Sequence, residues 1–188
     1  MAFQIAQDPD ADQVLTEHPF ALLAGMLLDQ QYPMEHAFRG PAKVLARFGT
    51  LEPAAIAAAE PEEFAALCAV PPAIHRFPGS MAARLQELAR IVAEQYDGDA
   101  ARLWTGAATG AELLKRVQAL PGFGKQKAQI FVALLAKQLG VRPEGWQEAV
   151  GAYAEDGFRS VADVVDAVSL QKVRDYKKAK KAEAKAAR

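Results

Sequence analysis

The run Leu120-Pro121-Gly122-Phe123-Gly124-Lys125-Gln126-Lys127-Ala128 has the residue types and spacing best suited to chemistry. Glycine reaches positive φ and lacks the Cβ that would hold another molecule away. A helix opening after Gly124 presents unpaired backbone N–H groups near Gly124 to Lys127, and such an end binds anions, phosphate above all. Lys125 and Lys127 add positive charge at the same place. Together these features predict a clamp on the phosphates of one DNA strand that is blind to base sequence. The competing reading is an ordinary two-helix hairpin whose glycines only cap a helix.

Smaller groups stand elsewhere. Phe77, with His75 and Arg76 before it, sits in a Pro-rich stretch from Ala69 to Ser80. An exposed aromatic there suits stacking on nucleobases, and the alternative is a ring folded onto the core. Arg76 is suited to a phosphate or an unpaired base, while His75 reads more readily as structural. Asp29, Gln30 and Gln31 close an apolar segment, either as a working loop or as a polar helix end.

The elements that must position these residues are helical. Pro19 to Gln31 has apolar residues at helical spacing, and a second helix runs from Pro33 to a stop at Gly49. Pro53 and Pro61 open two short helices, Glu62 and Glu63 favouring the start of the second. Ser80 is expected to cap a helix reaching Gln95, and residues 97–109 read as a loop holding Trp104. Helices are expected at 110–120 and 125–139 on either side of the glycine turn. After a mixed segment at 141–159, Ser160 and Ser169 are expected to cap two last helices, at 160–168 and 169–184. Residues 1–12 read as an extended acidic lead-in.

Composition agrees with an all-α chain. Of 188 residues, forty are Ala and only 22 are Val, Ile or Thr, a balance that favours helix over sheet. The single cysteine, Cys68, excludes a disulfide framework, a Cys-rich zinc site and a four-cysteine iron–sulfur cluster. No apolar run is long enough for a transmembrane helix, and the N-terminus lacks the pattern of a signal peptide. A cytoplasmic, nucleoid-associated monomer is the expectation. The net charge of −1 hides an asymmetry. Residues 1–100 carry 6 basic and 14 acidic side chains, residues 101–188 carry 16 and 9, and residues 172–188 alone carry 8 and 2. The basic end is either a footprint for a polyanion or a solvated helix.

The nine-residue run resembles the helix-hairpin-helix motif of the HhH-GPD superfamily of base-excision DNA glycosylases, the group with endonuclease III, MutY and AlkA. The resemblance extends to Pro19-Phe20-Ala21-Leu22-Leu23 with Leu27-Leu28-Asp29-Gln30-Gln31, similar to that family's first barrel helix and glutamine loop, and to Ser80-Met81-Ala82 behind its DNA-wedging loop. It spans about 19–140. It implies two all-helical lobes with the active site between them. Residues 19–135 would form a six-helix barrel with the hairpin at 110–139, and residues 1–18 plus 136–188 the second lobe. It implies a partner, duplex DNA with a damaged or modified base, and a reaction, extrusion of that base and hydrolysis of its N-glycosidic bond.

Residue roles follow by position. Gln31 would fill the vacated stack and Phe77 would wedge it open. Bifunctional relatives carry a nucleophilic Lys where this chain has Gln126, which cannot form a Schiff base, so a monofunctional enzyme is expected. Lys125 and Lys127 are each turned about 100° from that position. Eighteen positions after Gln126 stands Glu144, the residue expected at the family's essential acid, although the usual Val-Asp pair is absent. Asp29 is the second candidate acid. Trp146 would line the base pocket or pack between lobes, and His75 is the other candidate for the base pocket. Backbone carbonyls of Gln118, Leu120 and Phe123 would hold a monovalent cation, with no cofactor required. A DNA-binding module that has lost catalysis and a protein-interaction domain using the basic helix are the other readings.

Overall fold

The computed structural model describes residues 2–188. Among them are eleven α-helices, two 3-10 turns and no strand.

The chain becomes helical earlier than its acidic start implies. Asp8 accepts a hydrogen bond from the Ala11 N–H, and Pro9 provides a ready-made first residue for α1 (Pro9–Glu17). The expected lead-in therefore ends at Asp8, and it bends at residues 5–7, with Gln7 at φ +53°. Asp12 accepts a hydrogen bond from the Ala6 N–H at 2.8 Å, folding residues 3–6 back over α1. α2 (Pro19–Leu28) is apolar all round, and every residue from Phe20 to Leu28 is buried. α3 (Met34–Phe48) packs across α2 and α1. α4 (Pro53–Ala58) and α5 (Pro61–Ala69) both lean on α6 (Pro78–Gln95), α5 being capped by the Glu60 carboxylate.

α6 starts two residues before Ser80. Phe77 takes the cap position and Pro78 the first turn, so Ser80 caps nothing. Within the expected loop at 97–109 lies one short helix, α7 (Ala101–Thr105), which buries Trp104. α8 (Gly110–Gln118), capped by the Thr109 hydroxyl, and α9 (Lys125–Gln138) form the hairpin. Phe131 of α9 meets Trp104 and Phe123 edge-on, each with ring centroids 6.0 Å apart, locking the turn to the core.

The C-terminal third is α10 (Trp146–Val150), 3-10 turns at Gly151–Ala154 and Val161–Asp163, and α11 (Ala167–Ala186). Ser160 caps a 3-10 turn rather than a helix, and Asp166, not Ser169, caps α11. Ser169 returns the bond as the third residue of a capping box. α10 packs on α8 and α9, and α11 is carried by the second 3-10 turn. An ion pair from Arg174 of α11 to buried Glu35 of α3 joins the two ends of the chain.

Candidate DNA-binding cleft

Four segments distant in sequence wall an open cleft of about 820 Å³. The link between α2 and α3 contributes Asp29, Gln31 and Tyr32, and the hairpin contributes Gln126 and Lys127. Tyr153 and Arg159 come from the connection between α10 and α11, while Tyr176, Lys177 and Lys180 come from α11 itself.

The hairpin turn is shaped by two glycines with different reasons. Gly122 has φ +80°, and a Cβ there would lie 2.5 Å from the Leu27 side chain, so both backbone and packing require glycine. Gly124 has an ordinary φ of −70°, and a Cβ added there would meet nothing within 4 Å, so the protein itself does not require glycine at that position. Gly124 starts α9 without any side-chain cap, leaving the first-turn N–H groups facing outward for an anion. Lys125 is exposed beside them, whereas the Phe123 ring is buried and contributes only backbone to the surface.

Asp29 terminates α2 where the chain turns into the cleft. No hydrogen bond from a described residue reaches its carboxylate. Burial pushes its pKa up, opposed by the positive charges of Lys177 and Lys127. Lys127 Nζ donates to the Leu27 carbonyl at 3.2 Å, which pins the hairpin to the end of α2. Burial holds its pKa down, the Asp29 charge raises it, and Arg84 and Lys177 lower it further. The cleft therefore holds a carboxyl group with unengaged lone pairs that feels the charges of two ammonium groups from different elements.

The paired glutamines separate. Gln30 turns inward, its amide donating to the Leu27 carbonyl at 2.9 Å and accepting from Arg84 at 3.4 Å. Gln31 is exposed and held at φ +52°, a left-handed conformation that a non-glycine residue adopts under constraint. Behind this link, buried His75 bonds through Nε2 to the Gln30 carbonyl at 2.9 Å and accepts the Phe77 N–H on Nδ1 at 3.0 Å. That pair of bonds fixes the neutral tautomer with hydrogen on Nε2, and burial, the largest influence, lowers its pKa. One imidazole thus joins the Gln31 link to the Phe77 loop. Phe77 itself is 50% exposed, with the Arg76 guanidinium 5.5 Å from its ring centroid. The loop aromatic projects outward, and Arg76 stacks on it.

Glu144 and Trp146 lie elsewhere. Glu144 is exposed beside the N-terminus of α8: its carbonyl accepts the Gly110 N–H at 2.8 Å, and the residue does not line the cleft. Trp146 is buried against α8, lining a separate depression with Arg142 and Asp156. Position 126 is occupied by an amide whose Nε2 donates to the Tyr153 hydroxyl at 2.9 Å. Sequence reasoning missed Tyr32, Tyr153, Tyr176, Arg159, Lys177 and Lys180. Three of the chain's four tyrosines line this cleft, a concentration that only the fold reveals.

Among the described residues no group of His, Cys, Asp and Glu side chains is arranged to hold a metal ion. Leu120 accepts one hydrogen bond, from the Phe123 N–H at 3.2 Å, and the Gln118 and Phe123 carbonyls accept none among the described residues. No described helix is long and apolar enough to cross a membrane.

The model of the HhH-GPD superfamily, base excision DNA repair proteins, matches residues 24–188. No curated protein and no solved structure matches the chain. The match begins inside α2 and takes in both walls of the cleft, the hairpin and α11, so the chain belongs to the HhH-GPD superfamily of base excision DNA repair proteins.

Proposed function

We propose that this protein is a monofunctional DNA N-glycosylase in which Asp29 supplies the carboxylate. The supporting observation is the placement of Asp29: it opens into the cleft beside the hairpin and spends no lone pair on the protein. Base excision needs the nucleotide rotated out of the duplex, at a loss of roughly a few kcal/mol of stacking and pairing. Gln31 enters the space left behind, and Phe77 spreads the neighbouring bases. The hairpin amides and Lys125 hold the phosphate strand. The carbonyls of Gln118, Leu120 and Phe123 would hold a monovalent cation, which would supply further positive charge toward that phosphate.

Tyr32, Tyr153 and Tyr176 give the extruded base aromatic walls. As the N-glycosidic bond breaks, positive charge develops on the sugar, and the Asp29 carboxylate stabilises it and orients the attacking water. The charges of Lys177 and Lys127 favour the ionised form of Asp29 against its burial. Both lysines are positioning residues, touching neither base nor sugar. Gln126 offers no amine, and Lys127 is tied to the end of α2, so the product is an intact strand bearing an abasic site.

The test is incubation with duplexes carrying single lesions (uracil, hypoxanthine, alkylated purines, oxidised bases). Strand breaks after alkali but not before, lost in Asp29→Asn and kept in Glu144→Gln, are the expected result. Glu144 lies outside the cleft, which makes it the discriminating control. Lesion binding without base release would favour a repair protein that recognises damage only.

A further inference from the structure

The last turns of α11 are packed against nothing. Ser169, Leu170 and Val173 are buried and Tyr176 is half-buried, but every residue from Lys177 to Arg188 is exposed. The helical part of this arm, residues 177–186, extends roughly 15 Å at 1.5 Å per residue. A free helix of that length is marginal in water, so this arm is sustained by its Ala and Lys content and by the capped, packed turns that precede it. Residues 177–188 hold six basic side chains and one acidic one. Lys180 is drawn to Glu183 at 3.4 Å, but Lys178, Lys181 and Lys185 have no ion-pair partner among the described residues.

The chemistry of the arm selects its occupant. It has no Leu, Ile, Phe or Trp beyond Val173, so it lacks the apolar face that a membrane surface or a helix-in-groove partner requires. Its charge fits a polyanion. The arm also leaves the cleft directly, since Tyr176, Lys177 and Lys180 line the cleft wall and the following lysines continue outward. Duplex DNA presents about one phosphate per 1.7 Å of its axis, so 15 Å of basic helix passes on the order of nine phosphates, or four to five base pairs.

We propose that α11 from Lys177 onward is a phosphate rail for the duplex flanking the extruded nucleotide on one side only. The hairpin holds the strand at the lesion, and the rail holds the helix beyond it. The footprint is then asymmetric, longer by four to five base pairs on the α11 side. This rests on the reading of the cleft as a DNA site and adds to it a second, separable contact surface.

The experiment uses the full chain and the variant K178Q/K181Q/K185Q. None of these lysines lines the cleft, and Gln keeps helix propensity. Binding is measured by anisotropy across a salt series, on duplexes with a central tetrahydrofuran abasic analogue and flanks shortened in turn. The wild type should lose affinity steeply when one flank falls below about five base pairs, and little when the other does. The variant should show a salt slope shallower by about two to three, from roughly 0.9 per lost phosphate contact, and no dependence on that flank. Unchanged circular dichroism confirms that α11 remains helical in the variant. An unchanged salt slope, or equal sensitivity to both flanks, overturns the rail while leaving the cleft reading intact. A wild type with no salt-dependent affinity for the abasic duplex overturns both. Binding of α11 to vesicles of anionic phospholipid, with DNA affinity unchanged in the variant, assigns the arm to a membrane and overturns the rail.

Discussion

Asp29 is held by opposing demands, and this makes its role separable from stability. Its pKa is raised in the folded protein, so folding binds a proton more readily there and the ionised form weakens the native state. The stability loss is absent below the ordinary carboxylate pKa and grows as pH rises through the raised one. Asp29→Asn should therefore leave Tm at neutral pH unchanged or higher while base release falls by about 10²–10³-fold. A Tm drop accompanying the lost activity would mark Asp29 as structural. Lys127→Gln removes a charge that favours the ionised carboxylate, so the acid limb of the pH–rate profile should move to higher pH. His75 has the opposite sign. Its lowered pKa means that the neutral form is favoured by folding, so its contribution is complete above the ordinary histidine pKa and is lost as pH falls below it. The Tm difference between the wild type and His75→Gln should shrink between pH 7 and pH 5, and a difference constant with pH would contradict the neutral bridge. Asp29 and Gln31 were both legible as polar residues closing an apolar helix. A structural His75 was legible too, but not what it joins, because its two partners are 45 residues upstream and two residues downstream.

The hairpin was the most readable element, because its signal is local: glycine conformations, a helix start and adjacent lysines lie within nine residues. The fold separates its glycines by function. Gly122→Ala should destabilise the protein by about 1–3 kcal/mol through its positive φ and the Leu27 contact. Gly124→Ala meets open space, so Tm should hold in thermal melts while affinity for any duplex sequence drops. Equal affinity in Gly124→Ala would show that nothing approaches the turn. Helix boundaries were less legible where a cap lies outside the obvious polar residue. Pro78 opens α6 ahead of Ser80, and Asp166 opens α11 ahead of Ser169. Local periodicity predicts that a helix exists, but the capping residue is settled by which side chain can reach a free N–H.

Across the whole molecule, the cleft depends on segments brought together from residues 29–32, 126–127, 153–159 and 176–180. Spacing along one chain reveals none of this, which is why counting forward from Gln126 led to Glu144 while the carboxylate in the cleft is Asp29. Charge asymmetry between the halves was visible in sequence, and the fold brings Lys177 and Lys180 of the basic α11 to the same cleft as the α2–α3 link. The most direct measurement is single-turnover base release from a lesion-panel duplex, comparing the wild type, Asp29→Asn and Glu144→Gln, with products read before and after alkali. The account predicts alkali-dependent breaks from the wild type and Glu144→Gln, and none above background from Asp29→Asn. Full activity in Asp29→Asn, or its loss in a folded Glu144→Gln, would contradict it.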